Sequence, residues 1–328
     1  MKKFVIALTT FAVAAVALYF AMNMPGNDAE LDKSTVTVPE QIQGNEPGGT
    51  GEAESKPVAT TTVQSQDAKP AADVKTAVPD NKTETVIGET LNGRNIVAYH
   101  YGNGAKEILL VGGIHGGYAW NTALLAYQLM DYLKANPSAI PANIKVTIIP
   151  VLNPDGLSKV VSVTGPFSAS DVSSSADAKV SGRFNGTPVD LNRNFDCGWK
   201  AEGVWQNKSV SGGTAPFSER ESAAVRDYAK DRKLAAVVGW YSAGGAVYAS
   251  SCGKGILPET QTITDVFAKA SGYPAYKNFA SYQVSGDMTD WFAKNNVPAF
   301  GVLLTTANDT ELAKNLAGIK AILEYYSK

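Results

Sequence analysis

The globular part of this 328-residue chain, from Thr85 to Lys328, reads as one α/β domain: a single mixed, mostly parallel, twisted sheet with helices on both faces. Three observations predict it. Apolar runs of strand length alternate with segments whose apolar residues recur at helical spacing, and such alternation makes crossovers that cover both faces of a parallel sheet. Motifs rich in Gly, Asn and Asp follow the apolar runs, where open α/β sheets place their functional loops. About 244 residues are enough for one sizeable core.

The elements follow in order. Glu107–Ile114 is a buried strand, and Thr122–Ala135 a helix with Leu124, Leu125, Gln128, Leu129 and Leu133 at helical spacing. Lys145–Val151, Leu234–Trp240 and Ala299–Leu304 are further strands. Glu219–Arg232, Thr264–Ser271, Met288–Asn295 and Thr310–Tyr326 read as helices. His100 sits in the strand-like alternation Val97–Tyr101 and is expected at the surface.

Residues 1–24 carry Lys2 and Lys3 and then 19 uncharged residues, Phe4 to Met22. At 1.5 Å rise per residue this run spans the ~30 Å hydrocarbon core. It is expected to be a membrane anchor, with the rest of the chain outside the cytoplasm. A cleaved signal peptide is the competing reading, since Ala15-Val16-Ala17 offers a small-x-small site, and it would make the protein secreted. Residues 25–84 hold no Trp, Tyr or Phe and are rich in Pro, Gly, Thr, Glu and Lys. A segment of this kind cannot offset its chain entropy, so a disordered linker reaching ~40–45 Å is expected.

Lys and Arg number 29 against 31 Asp and Glu, a net charge of −2. That balance gives no concentrated cation excess for phosphate, and a nucleic-acid partner is not expected. Two histidines and two cysteines leave little from which to build a metal cluster.

Beyond the strand ends a collinear series of motifs appears. It runs Gly112-Gly-Ile-His115, Asn153-Pro-Asp-Gly156, Arg183 through Asp190-Leu-Asn192-Arg193-Asn194-Phe195, Tyr241-Ser242, Tyr282-Gln-Val-Ser-Gly-Asp-Met-Thr289-Asp290-Trp291 and Val302-Leu303-Leu304. Taken in this order the series resembles the zinc carboxypeptidase family, including its bacterial peptidoglycan-peptide and desuccinylase-like branches. The resemblance implies that family's fold for residues 85–328. It also implies that His115 stands at a zinc-ligand position and that Asn192 and Arg193 grip a terminal carboxylate. Arg183 is implied to polarise the scissile carbonyl, Tyr282 to match the tyrosine of the family's Tyr-Gln-x-Ser-Gly run, and Thr289 to help select the side chain.

The chemistry of the family needs two His and one Glu on zinc, and a further Glu to take the proton of the attacking water. Here the first Glu position is Tyr118 or Ala119, the second His position is Tyr241, and the catalytic Glu position is Leu303. Complete structural zinc sites supply roughly 10–16 kcal/mol, so a lone imidazole supplies about a quarter of that, or roughly millimolar affinity. No cofactor is therefore expected, and zinc only if unrecognised ligands exist.

The expected function is a membrane-tethered, catalytically inactive relative that binds peptides or peptidoglycan-stem carboxylates. An active zinc hydrolase and a purely structural surface module are the alternatives. The bland readings are that Asp190, Asn192 and Asn194 merely brace a loop and that His115 is a satisfied structural histidine. Cys197 and Cys252 lie beside the site. Outside the cytoplasm such a pair is expected to form a disulfide, the alternative being a Cys nucleophile activated by His115.

Overall fold

The computed structural model describes residues 83–279 and 284–328. The N-terminal segment 1–24, nearly all of the linker 25–84, and Tyr282 lie outside the described residues. Among those described, no helix is long and apolar enough to cross a membrane.

Ten strands are present among the described residues: β1 (Glu84–Glu89), β2 (Asn95–Tyr101), β3 (Lys106–Val111), β4 (Ile144–Ile149), β5 (Glu202–Trp205), β6 (Lys208–Ser211), β7 (Leu234–Ser242), β8 (Ala246–Ala249), β9 (Ala275–Tyr276) and β10 (Ala299–Leu304). Eight of them form one sheet in the order β1-β2-β4-β3-β7-β10-β8-β9, and β5 with β6 makes a separate hairpin. The inner strands β4, β3, β7 and β10 run parallel. The pairs β1/β2, β2/β4 and β8/β10 are antiparallel. The expected mixed sheet with a parallel centre is thus observed.

Alternation along the inner strands divides the core in two. Ile108 and Leu110 of β3, Val238 and Trp240 of β7, and Phe300, Val302 and Leu304 of β10 face one side. There they meet α1 (Trp120–Ala135), α5 (Pro258–Ser271) and α7 (Leu312–Ser327). Leu109, Val111, Val237, Tyr241 and Ala299 face the other side, against α4 (Arg220–Lys230) and α6 (Met288–Lys294). Two shorter helices, α2 (Pro154–Leu157) and α3 (Ala176–Ser181), lie in the loops after β4.

Several boundaries differ from the sequence expectation, each for a local reason. Strand β3 stops at Val111 rather than Ile114 because Gly112 and Gly113 turn the chain. Helix α5 begins at Pro258, six residues before the expected Thr264. Proline at the first helical position and the left-handed Gly272 after the last frame it, while half-buried Gln261 and exposed Thr262 and Asp265 mask its apolar face in sequence. His100 is half-buried rather than a surface residue. Its ring bonds Thr85 (3.0 Å) and Thr147 (3.1 Å) and stacks on Tyr228, and burial pushes its pKa down to about 4.

Candidate functional site

The site is assembled by loops that leave the C-terminal ends of the parallel strands. Gly113 has φ of +62°, and a Cβ there would stand 2.9 Å from Val151 Cα, so glycine is required where this turn crosses the chain after β4. The loop continues through His115 to Gly117, whose N–H donates to the Gly182 carbonyl at 3.0 Å. Asn153 accepts from the Gly156 N–H (2.7 Å), capping α2, and its Nδ2 donates to the Arg183 carbonyl (3.2 Å). These bonds set His115 and Arg183 beside one another.

Asp190 joins them. Its carboxylate is fully buried. Oδ2 accepts from Arg183 Nε at 3.1 Å and Nη2 at 2.8 Å, and Arg193 Nε stands 3.4 Å from the same oxygen. Oδ1 lies 3.4 Å from His115 Nε2. Burial by itself would raise the pKa of this carboxyl, but Arg183, His115 and Arg193 outweigh it and the net shift is downward. Burial and then repulsion from Arg183 push the His115 imidazole down, which leaves it neutral near pH 7. His115 is 6% exposed, and neither ring nitrogen makes a well-formed hydrogen bond among the described residues.

Further side chains close in around this group. Strand alternation puts Gly239 and Tyr241 of β7 and Gly301 and Leu303 of β10 on the site face, with Tyr241 and Leu303 in register. A Cβ at Gly239 or Gly301 would meet the Tyr241 ring at 3.0 or 3.2 Å, so two glycines make room for that ring. The ring lies 5.9 Å from His115, and its hydroxyl is 3.4 Å from Asn192 Oδ1. Tyr118 packs edge-on against Trp205 at 4.9 Å, and the Arg183 guanidinium lies 4.6 Å over Trp205 and 5.5 Å over Tyr118. Ala119 is buried and precedes α1.

The other expected site residues separate into two groups. His115, Arg183, Asn192, Tyr241, Thr289 and Leu303 all line one cavity of about 740 Å³, a size suited to a small ligand or a peptide end. Arg193 is only 3% exposed and is absent from that lining. Its Nη2 donates to the Val204 carbonyl at 2.7 Å, beneath the β5–β6 hairpin. Asn192 donates to Asp287 Oδ2 (2.7 Å) and accepts from the Met288 N–H (3.1 Å). Asn194 braces the neighbouring loop, donating to the Gly212 and Ala215 carbonyls and accepting from Ser222. Cys197 and Cys252 form a disulfide with Cα atoms 5.9 Å apart.

Sequence reasoning missed two carboxylates in the same wall. Asp287 caps α6, accepting from the Asp290 N–H (3.0 Å) and Thr289 Oγ1 (2.7 Å). Asp290 Oδ1 accepts from the Ser251 N–H at 2.9 Å. Burial, and then repulsion from Asp287, push the Asp290 pKa up to about 8. The folded state therefore holds a proton that the unfolded chain releases near pH 4, and this contribution to stability is lost as pH rises toward 8. Asp290→Asn, which keeps an acceptor for Ser251, should raise unfolding stability at pH 8 by a few kcal/mol and give no gain at pH 4. Urea titrations at the two pH values measure it, and a gain of equal size at both would contradict the assignment.

A zinc centre needs at least three protein donors, and the residues around His115 do not supply them. Asp190 is held by two guanidinium groups, and the neighbouring positions offer a phenol and an aliphatic side chain. Among the described residues no group of three or more His, Cys, Asp or Glu could hold a metal ion.

A sequence model of the zinc carboxypeptidases matches residues 70–316. The chain belongs to the zinc carboxypeptidase family. It is 28% identical over 244 residues to gamma-D-glutamyl-L-diamino acid endopeptidase 1 of Lysinibacillus sphaericus, covering 67% of this chain and 60% of the relative. It is 27% identical over 235 residues to metallocarboxypeptidase A of Arthroderma otae, covering 62% and 53% respectively. The chain thus spans somewhat over half the length of these relatives. In three dimensions it is similar to carboxypeptidase A from Helicoverpa armigera, with TM-score 0.58, 20% identity, and 75% of this chain and 67% of that one covered. Murein-tripeptide amidase MpaA from Escherichia coli O157 aligns with TM-score 0.52 and 16% identity, covering 75% and 93%. These likenesses show the carboxypeptidase fold. Within this zinc carboxypeptidase homologue His115 lies against Asp190, and Tyr241 and Leu303 stand in register on the neighbouring strands.

Proposed function

We propose that this zinc carboxypeptidase homologue binds the carboxylate end of peptides, peptidoglycan stem peptides among them, without hydrolysing them. We further propose that its N-terminal segment tethers it to the outer side of a membrane. One observation carries the binding reading: Arg183 lines a cavity of peptide-end size while the groups that would activate water are a tyrosine and a leucine. Arg183 spends Nε and Nη2 on Asp190. Its Nη1 makes no hydrogen bond among the described residues, which suits it to take a ligand carboxylate in a charge-assisted bond. The likeness to an endopeptidase named for the γ-D-glutamyl-L-diamino acid bond supports stem peptides as the ligand class. Arg193, behind the hairpin, shares Asp190 with Arg183 and would hold that carboxylate in place.

The test has two arms. Purified protein should carry far less than one zinc per chain, unchanged by His115→Ala. Stoichiometric zinc lost in that variant would restore the active-hydrolase reading, which the retained His115–Asp190 pair favours. A free-acid peptide should bind at least tenfold more tightly than its amide, because truncating one partner of a desolvated charged pair costs about 2–5 kcal/mol. Arg183→Ala should remove the contrast. Equal affinities would leave Arg183 a structural residue and the domain a surface module.

A further inference from the structure

The β5–β6 hairpin has no role in the carboxylate reading, yet its tip, Val204 to Asn207, lines the cavity. An isolated two-stranded hairpin is at best marginally stable in water, so contacts with the rest of the domain must hold this one. At its base the Asp190 N–H donates to the Ser211 carbonyl at 2.9 Å. Nearer the tip Arg193 Nη2 donates to the Val204 carbonyl (2.7 Å), and Gln206 Nε2 donates to the Tyr118 hydroxyl (3.2 Å). Between those two points Trp205 turns inward. It is 6% exposed, whereas Val204 beside it is 57% exposed.

The indole meets Arg183. The guanidinium carbon stands 4.6 Å from the Trp205 ring centre and 5.5 Å from that of Tyr118. The two rings meet edge to face at 4.9 Å, and Phe184 meets Trp205 edge-on at 6.2 Å, so the indole is itself held by its neighbours. Asp190 cannot fix the guanidinium alone. The bonds from Nε and Nη2 both end on one oxygen, Oδ2, which anchors the fork at a point and leaves it free to tilt about that point. Aromatic rings over a guanidinium oppose that tilt, because the attraction to the ring quadrupole is lost as the cation leaves the face. Hydrogen bonds of the stacked fork are then confined to its own plane, where Nη1 remains for a ligand.

We infer that Trp205 and Tyr118 are positioning residues for the ligand carboxylate, holding the Arg183 guanidinium in one plane with Nη1 presented to the cavity, and that the β5–β6 hairpin delivers Trp205 to that place. The inference rests on the carboxylate reading above and adds to it the residues that give the clamp its direction.

Two variants and two readouts test it. Trp205→Phe keeps an aromatic face, and Trp205→Leu keeps only apolar bulk. Calorimetric titration of the full chain with a free-acid peptide and its amide should give wild type and Trp205→Phe the same acid-over-amide contrast within about twofold, and Trp205→Leu a contrast about tenfold smaller. The second readout needs no ligand. In nuclear magnetic resonance spectra the Arg183 Nε–H signal, identified by its absence from Arg183→Lys, should be displaced by ring currents in wild type and in Trp205→Phe, and should move towards the ordinary arginine position in Trp205→Leu. An unchanged contrast and an unmoved signal in Trp205→Leu would overturn the inference. So would a loss in Trp205→Phe as large as in Trp205→Leu, which would make the indole a packing residue of the hairpin. Equal acid and amide affinities in wild type, with the signal still following the aromatic face, would remove the carboxylate reading and leave the positioning of Arg183 standing. Neither a contrast nor a displaced signal in wild type would overturn both. Should Trp205→Leu fail to fold, Tyr118→Leu against Tyr118→Phe makes the same comparison at the other ring.

Discussion

Asp190→Ala should cost this protein about 3–5 kcal/mol of stability, because it leaves two buried guanidinium groups without their shared carboxylate. Arg183 is 4% exposed and Arg193 3%, so neither can turn outward to water without opening the loop that carries it. Asp190 also accepts from the Asn192 N–H and begins the tight turn Leu191–Arg193, so its loss loosens the segment that supplies Asn192 to the cavity. Asp190→Asn should lie between wild type and alanine, since it keeps one acceptor but no charge. The sign with pH follows from the downward shift of the Asp190 pKa. The carboxylate stabilises the fold above its ordinary value near 4, and that contribution is lost as the solution is made more acid. The gap between wild type and Asp190→Asn should therefore close in strong acid. Urea unfolding with the disulfide intact measures each term, and a cost below about 1 kcal/mol for alanine would mean that the cluster does not anchor the site.

The central strands could be read from sequence because they are buried on both faces. Ile108 to Val111 and Ala236 to Trp240 are nearly continuous apolar runs, and the glycines after Val111 mark where the chain turns. The outer elements could not. β1 has only exposed and half-buried positions, β2 buries only Ile96 and Ala98, β9 is two exposed residues, and the β5–β6 hairpin buries only Trp205 and Val210. With so few buried positions the pattern has nothing to repeat.

For the site, the order of motifs was enough to bring His115, Arg183, Asn192, Tyr241, Thr289 and Leu303 to one cavity. It did not give the direction of each side chain. Leu191–Arg193 is a 3₁₀ turn, in which successive residues point about 120° apart, so Asn192 faces the cavity while its neighbour Arg193 turns under the hairpin. Asp287 and Asp290 were hidden for a different reason. An Asp that opens a helix is ordinary capping chemistry, and only the burial of Asp290 beside it on the cavity wall sets the pair apart.

Removing the disulfide should be felt in the fold rather than in the carboxylate end of the cavity. Cys197 and Cys252 are 55 residues apart, and on the chain-entropy model closing such a loop stabilises the folded state by ~4 kcal/mol. The bridge also joins the two walls that hold the acidic pair. The Cys197 carbonyl accepts from the Gly286 N–H at 2.8 Å, and Gly286 immediately precedes Asp287. On the other side Cys252 follows Ser251, whose N–H holds Asp290 at 2.9 Å. With both cysteines changed to serine, the unfolding midpoint should fall by an amount corresponding to about 4 kcal/mol, while the acid-over-amide preference holds. That persistence follows from position, since Arg183 is fixed by Asp190 and Asn153 and owes nothing to the bridge. Loss of that preference would show that the bridge acts on the whole domain. A destabilisation below about 1 kcal/mol would show that the walls around Ser251 and Gly286 are held without it.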